Sequence, residues 1–206
     1  MSKSLFSVLL ALSTLLGCQS AMTANGAAVA AESTDLVSGS VTWFDGKRQR
    51  TAWISAQEFA EFGVDPAAAG QRSMQKIVGD AVPVKTAAGV RIWRTASAKR
   101  ALRSVGGKNS RASLSPVFYP TRQGGPRMAL NGRLVVRFKA EWSLAQIERW
   151  AERQGVRLLK PVLESRNIYL FQAKAGLAAL TQANAIQRSG EVEYATPDWW
   201  QEAFLR

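Results

Sequence analysis

From residue 41 onward, hydrophobic and polar positions alternate with the two-residue period of a β-strand. Two such runs, residues 41–44 and 47–54, flank the dipeptide Asp45-Gly46. An Asp-Gly dipeptide between β-forming residues favours a tight hairpin turn, because glycine readily adopts positive φ. The pattern therefore predicts a β-hairpin at the start of the folded chain.

Two further elements follow this hairpin. Ser55-Ala-Gln-Glu58 has the spacing of a helical capping box, in which two side chains satisfy backbone N–H groups of the first turn. It predicts a short helix over residues 55–62. Strand-like runs at 82–85 and 90–93 predict a second hairpin. Together these elements predict a small α+β unit over residues 41–95.

The last part of the chain has the clearest periodicity. Strands are predicted over residues 133–138, 156–163, 167–173 and 192–195. A capping box at Ser143 opens one helix that ends at Gly155, and a second apolar stripe predicts another helix: Leu177, Leu180, Ala183 and Ile186. The fold class is therefore α+β, and the order βαββαβ predicts a ferredoxin-like domain, an antiparallel sheet with two helices on one face.

Alternation within these strands predicts which side chains face the helices. In the first strand three side chains should face them: Leu134, Val136 and Phe138. Four apolar side chains are predicted to lie on the opposite, uncovered side: Val135, Leu159, Tyr169 and Phe171. A partly apolar open face needs a cover, and either the 41–95 unit or a partner protein can supply it.

Charge is unevenly distributed along the chain. The sequence holds 27 Lys and Arg against 15 Asp and Glu, a net charge of +12, which favours an acidic partner or surface. No acidic residue occurs between Asp80 and Glu141. Within this stretch, residues 96–116 have little apolar periodicity and are predicted to be a mobile basic linker that aids solubility or touches anionic lipid. A nucleic-acid-binding arm is the alternative, but interleaved aromatic residues are missing, so no nucleic-acid partner is expected.

Several catalytic chemistries are excluded by composition. The chain contains no histidine and a single cysteine, Cys18, which excludes histidine-based triads and histidine-ligated zinc sites. Glu148 and Glu152 are a candidate carboxylate pair, yet Arg149 and Arg153 beside them are typical of a solvated helix face. The sequence therefore predicts a protein that is not an enzyme and uses no metal or cofactor.

The N-terminus has the pattern of an export signal. Lys3 precedes an uncharged apolar run over residues 5–16, too short to span a bilayer as a mature helix. The tetrapeptide Leu15-Leu-Gly-Cys18 resembles a bacterial lipobox. This resemblance implies a signal peptide over residues 1–17, acylation of Cys18 and a flexible tether over residues 18–40.

A second cleavage site competes with the lipobox. Ala28-Val-Ala-Ala31 suits an ordinary signal peptidase, which would discard Cys18 and leave a soluble periplasmic or secreted protein. Acylation would instead hold the protein on a membrane, because each buried methylene contributes about 0.8 kcal/mol. The lipobox therefore predicts a lipid-anchored protein in the periplasm or at the outer membrane.

Three segments carry a resemblance to a known family. They are Leu134-Val-Val-Arg-Phe138, Asn167-Ile-Tyr-Leu-Phe171 and Val192-Glu-Tyr-Ala-Thr-Pro-Asp198. In this order and spacing they resemble the propeptide of subtilisin-like serine proteases. Residues 117–130 are similar to the lead-in of some larger members. The resemblance covers residues 117–206, which are expected to form a propeptide-like domain.

The resemblance implies a function as well as a fold. The sequence ends at Arg206, where a propeptide would meet its protease, so the chain is similar to freestanding members such as the external chaperone of an Aeromonas subtilisin-like serine protease. Such proteins fold their protease, inhibit it, or do both. An envelope lipoprotein with an unrelated structural or interaction role is the alternative, since this fold serves many purposes.

The same resemblance implies where the protease partner would bind. The sheet face is expected to dock on the protease, and the C-terminal tail is expected to occupy its substrate cleft. The residues expected at this interface are Val135, Tyr169, Trp199, Trp200, Phe204, Leu205 and Arg206. Trp199 and Trp200 would anchor the base of the tail, and either Phe204 or Arg206 would enter the specificity pocket.

Overall fold

A single antiparallel sheet organises the described chain. The computed structural model describes residues 37–64, 70–87, 89–106 and 113–203. The predicted signal peptide and Cys18 lie outside the described residues, as do Phe204, Leu205 and Arg206. The residues it describes belong to one compact unit, Thr34–Arg206.

The strands and helices of the described residues follow one another in this order: β1 (Val37–Asp45), β2 (Arg48–Phe62), α1 (Gly70–Ile77), β3 (Val82–Ala87), β4 (Val90–Arg94), α2 (Ala98–Gly106), β5 (Ser113–Tyr119), β6 (Met128–Arg137), α3 (Leu144–Gln154), β7 (Arg157–Leu163), β8 (Ile168–Gln172), α4 (Leu177–Ser189) and β9 (Tyr194–Gln201). A 3₁₀ turn, Glu164–Arg166, joins β7 to β8. Both predicted hairpins are confirmed, with Asp45 opposite Arg48 and Ala87 opposite Val90. The α+β class is also confirmed.

Hydrogen bonds link the strands in the order β3-β4-β2-β5-β6-β8-β7, while β1 pairs with β2 and β9 pairs with β6. Every pairing is antiparallel. The last four strands therefore lie side by side as β9-β6-β8-β7, with α3 and α4 in the two crossovers. Strands β2 and β6 each pair with three other strands, so they are the branch points of the sheet.

The helix-facing core of the last four strands follows the predicted alternation. Leu134, Val136 and Phe138 are buried against Ile147 and Trp150 of α3. Helix α3 begins where the capping box predicted, with Ser143 and Gln146 each accepting from the other's backbone N–H, and it ends at Gly155 in the left-handed conformation. Local capping and apolar spacing here agree with the tertiary packing, so this helix was predictable from sequence.

The predicted face of β8 is wrong. Tyr169 and Phe171 are 5% and 0% exposed and belong to the helix-facing core. Tyr169 lies opposite Val136, and Phe171 lies opposite Leu134, and directly paired residues share a face of the sheet. Both faces of β8 are apolar, so alternation alone could not choose between them.

The helix predicted over residues 55–62 is also wrong, because this segment is the second half of β2. Ser55 Oγ does accept from the backbone N–H of Glu58, at 3.0 Å, as a capping serine would. Here the bond closes a bulge: the pairing with β5 shifts between Ile54 and Phe59. The Glu58 carboxylate accepts from Arg94, Tyr119 and Arg127, residues distant in the sequence that the spacing of the motif could not reveal.

The predicted basic linker contains helix α2 and strand β5. Ala98, Ala101 and Val105 lie at helical spacing and are buried together with Phe59 and Trp93. The small apolar side chains were hidden among many basic residues, so their periodicity was missed. Residues 37–40, predicted as the end of the tether, form the first part of β1, since β2 supplies a strand for them to pair with.

Candidate binding surface

One face of the β9-β6-β8-β7 strands lies opposite the helices. Register places three rows of side chains on it. We call this surface the open sheet face: Arg133, Gln172 and Arg157 in the first row, Thr196, Val135, Leu170 and Lys160 in the second, and Tyr194, Arg137, Ile168 and Leu163 in the third. Val135 lies where the sequence predicted, and Leu170, not Tyr169, is its apolar neighbour.

The open sheet face is apolar at its centre and cationic around it. Leu170 is buried and Val135 half-buried, while Arg133, Arg157 and Lys160 are exposed. Arg137 pairs with Glu193 at 2.7 Å, and both side chains are more than a third exposed. This composition suits a partner that offers apolar contacts within an acidic rim.

Strands of the first half of the chain cover one end of this face. Trp200 packs with Val90, Ile92 and Ala129 in a hydrophobic cluster. Trp200 also lines a groove of about 720 Å³, together with Val90 from the first half of the chain and Arg133 and Gln172 from the open sheet face. The first half of the chain therefore covers the Trp200 end of the face.

Trp199 and Trp200 anchor strand β9 within the chain, and neither stands in a free tail. The Trp199 ring lies 4.9 Å from that of Trp43 and 5.2 Å from that of Phe118, centroid to centroid. Both side chains are half-buried, and their contact with a partner stays a prediction. Strand β6 starts at Met128, so β9 can extend to Gln201 as its pairing partner.

Glu202 fixes the point at which the tail begins. Its backbone N–H donates to the carbonyl of Arg127 at 2.8 Å. Its carboxylate, 4% exposed, accepts from Lys85 at 2.5 Å and from Arg127 at 3.2 Å. Burial opposes ionisation of Glu202, but the bond from Lys85 and those from Arg127 outweigh it and hold its pKa below the ordinary value.

Glu58 is the centre of a second ionic group that sequence analysis missed. Its buried carboxylate accepts from Arg127 Nε at 2.7 Å, Arg94 Nη2 at 2.8 Å and the Tyr119 hydroxyl at 2.9 Å. Burial opposes its ionisation, yet the arginine hydrogen bonds hold the pKa of Glu58 below its ordinary value. Burial and the Glu58 charge raise the pKa of Tyr119. The acid-free stretch from residue 81 to 140 was the one available signal, since arginines within it, such as Arg94 and Arg127, can pair only with acidic residues distant in the sequence.

The remaining candidates from sequence analysis form no site. Glu148 and Glu152 are exposed on α3. Among the residues that the structure describes, no group of three or more His, Cys, Asp or Glu side chains could hold a metal ion. In that same part of the chain, no helix combines the length and the hydrophobicity needed to cross a membrane.

Comparison with protein families gives one match. The family model of the fervidolysin N-terminal prodomain, which is subtilase propeptide-like, matches residues 120–198. This segment is less than half of the chain, and it contains β6, α3, β7, β8, α4 and the first part of β9. The match supports a propeptide-like domain in this segment. Comparisons with curated proteins and with solved structures give no match.

Proposed function

We propose that this protein is an exported folding chaperone, inhibitor, or both, of a subtilisin-like serine protease. The observation that carries the proposal is the prodomain match over residues 120–198. Such prodomains associate with a subtilisin-like protease and are typically non-catalytic. The strand order β9-β6-β8-β7, with every pair antiparallel, supports assigning the segment to the ferredoxin-like arrangement.

The open sheet face is the proposed docking surface. Val135 supplies an accessible apolar side chain at its centre, where its neighbour Leu170 is itself buried, and the surrounding cations would orient the complex by pairing with acidic groups of the protease. Tyr169 is buried below this face and is withdrawn as a contact residue. The tail beyond Glu202 would run into the substrate cleft, where an extended chain binds through main-chain hydrogen bonds.

The mechanism requires binding energy alone. A protein that binds only the folded protease stabilises it by mass action. If the same surface also binds the transition state of protease folding, folding is faster. A tail released slowly from the cleft blocks access of substrates, so one interface can both assist folding and inhibit. The freestanding role, as in the Aeromonas chaperone, is part of this proposal.

The cellular location is proposed on the sequence alone. The lipobox-like segment that ends at Cys18 favours acylation and attachment to the periplasmic side of a membrane. Cleavage near Ala31 would give a soluble exported form. An envelope lipoprotein with another partner is the second candidate, and the cationic rim of the open sheet face is compatible with it.

An inhibition assay tests the proposal. The purified protein is titrated into a subtilisin-like protease of the same organism, and hydrolysis of a peptide substrate is followed. Val135→Asp should weaken inhibition at least about tenfold, or 1.4 kcal/mol, because it places a charge at the apolar centre of the face. Leu144→Asp is the matched control, since Leu144 is 51% exposed on α3.

Two results would overturn the proposal. One is a wild-type protein that neither inhibits the protease nor raises its refolding yield. The other is equal inhibition by the wild type, Val135→Asp and Leu144→Asp proteins, which would remove the open sheet face as the docking surface. Circular dichroism establishes that both variants are folded.

A further inference from the structure

Helix α2 carries a cluster of exposed cations on the helix side of the sheet. Lys99, Arg100 and Arg103 are exposed, whereas Ala98 and Ala101 of the same helix are buried in the core. Asp80 faces Arg100, but its carboxylate already accepts from the Thr95 hydroxyl and the Ala96 N–H, both at 2.7 Å. The three cations therefore point outward with little neutralisation.

An apolar groove of about 480 Å³ lies beside these cations. Leu102 and Leu177 contribute side chains to it, and Lys99 and Arg103 lie at the same groove. Leu177 is 42% exposed at the start of α4, although its spacing predicted a buried position. Leu102 is half-buried. Cations next to leucines that are at least partly exposed are typical of a surface that binds at the headgroup level of a bilayer.

Strand β1 also reaches this groove, where Ser38 contributes to the lining. Phe59, which packs in the same cluster as α2, lies opposite Pro116, another residue of the groove. Helix α2 therefore covers the same side of the sheet as α4, opposite the open sheet face.

We propose that the α2 surface, made of Lys99, Arg100, Leu102, Arg103 and Leu177, binds anionic phospholipid headgroups. The cations would pair with headgroup phosphates, and the two leucines would enter the interfacial region. A single acyl chain gives weak, reversible membrane binding, and a cationic patch is a common second signal. This inference depends neither on the protease partner nor on the acylation of Cys18. It would hold the protein with its open sheet face directed away from the membrane.

Vesicle sedimentation of the full chain tests the proposal. One set of vesicles is phosphatidylcholine, and the other is an equimolar mixture of phosphatidylcholine and phosphatidylglycerol. The triple variant Lys99→Gln, Arg100→Gln, Arg103→Gln should bind the mixed vesicles at least about tenfold more weakly than the wild type, because each cation near an anionic surface contributes to binding. Its binding to pure phosphatidylcholine should not change.

A second triple variant is the control: Arg133→Gln, Arg157→Gln, Lys160→Gln removes the same charge from the open sheet face. It should bind mixed vesicles like the wild type and inhibit the protease less well, whereas the α2 variant should inhibit normally. Equal losses of vesicle binding in the two variants would overturn the proposal, since only net charge would then matter. A change in self-association of the α2 variant without vesicles would also overturn it and indicate a second copy of this chain as the occupant.

Discussion

The guanidinium of Arg127 donates from Nε to Oε2 of Glu58 at 2.7 Å, which joins the residue before β6 to the middle of β2. The same guanidinium also contacts Glu202, at 3.2 Å. Arg127 therefore connects both halves of the chain to the point where the tail begins. The pKa of Arg127 is raised, chiefly by its hydrogen bonds with Glu58, so it is charged at any physiological pH.

Glu58→Gln should lower the free energy of unfolding by about 2 kcal/mol, because Arg94 and Arg127 lose hydrogen bonds to a charged, buried carboxylate and Arg127 keeps only Glu202 as an ionic partner. Asp45→Asn is the matched control. Asp45 and Arg50 form an exposed pair at 3.4 Å, and its loss should cost at most about 0.5 kcal/mol. Urea unfolding monitored by tryptophan fluorescence measures both. Equal effects of the two substitutions would contradict the structural role of Glu58.

Stability should fall as the pH drops below the ordinary glutamate pKa of 4.5. Glu58 and Glu202 have folded pKa values below this value, so the unfolded chain binds protons first as the pH drops. Their contribution to stability is complete above the unfolded pKa and is lost as the pH falls through the folded pKa values. In Glu58→Gln the pH dependence of the unfolding free energy should be shallower. An unchanged pH dependence in this variant would show that other carboxylates cause the loss of stability in acid.

Substitutions at Tyr169 and Val135 should differ in their effect on stability. Tyr169→Asp places a charge in the helix-facing core and should destabilise by at least about 3 kcal/mol. Val135→Asp changes a half-buried position and should cost about 1 kcal/mol. Thermal unfolding followed by circular dichroism distinguishes the two. A larger loss for Val135→Asp would mean that the open sheet face is buried within the chain.

Deletion of residues 204–206 should weaken inhibition of the protease by at least about tenfold, or 1.4 kcal/mol, and leave the fold intact. The deletion removes Phe204 and Arg206, which are the two predicted occupants of the specificity pocket. It leaves Glu202 and its ionic contacts in place, so β9 should stay paired. Inhibition constants and melting temperatures together test this. Full inhibition by the shortened protein would leave recognition to the open sheet face alone.

Cys18→Ser should move the protein from the membrane fraction to the soluble periplasmic fraction, because acylation would supply most of its membrane affinity. Fractionation of cells that express the wild type or the Cys18→Ser variant measures this redistribution. A mature N-terminus at Ala31 or Glu32 would exclude the lipid anchor. The cations of α2 can retain part of the variant on anionic membranes, so the fractions are also washed with salt, which screens that contact.

Elements specified by neighbouring residues were predictable from the sequence. Asp45-Gly46 forms the expected turn, and Ser143 caps α3 as its spacing indicated. Ser55 and Glu58 have the same spacing as a capping box, yet they lie in a strand. The difference is the Arg127 partner of Glu58, which is 69 residues away and leaves no mark on the local pattern.

The candidate site was predictable only in part, because a face of the sheet depends on register. Val135 follows from its position between two helix-facing residues. The position of Leu170 on this face follows only from its pairing with Val135, because β8 is apolar on both sides. Trp199 and Trp200 were expected at the base of a tail. They lie within β9, because β6 begins at Met128 and supplies pairing partners for β9 as far as Gln201.

The contact between Trp43 and Trp199 has a consequence for the order of folding. Trp43 belongs to the first strand of the sheet and Trp199 to the last, so their cluster forms only when almost the entire chain is available. Contacts at such separation in sequence slow the search for the native state, since loop-closure entropy is lost before the contact is gained. Strand β9 must therefore be translated or exported before the first hairpin can complete its packing. A chain truncated before Trp199 would leave the apolar surface of β1 exposed and prone to aggregation.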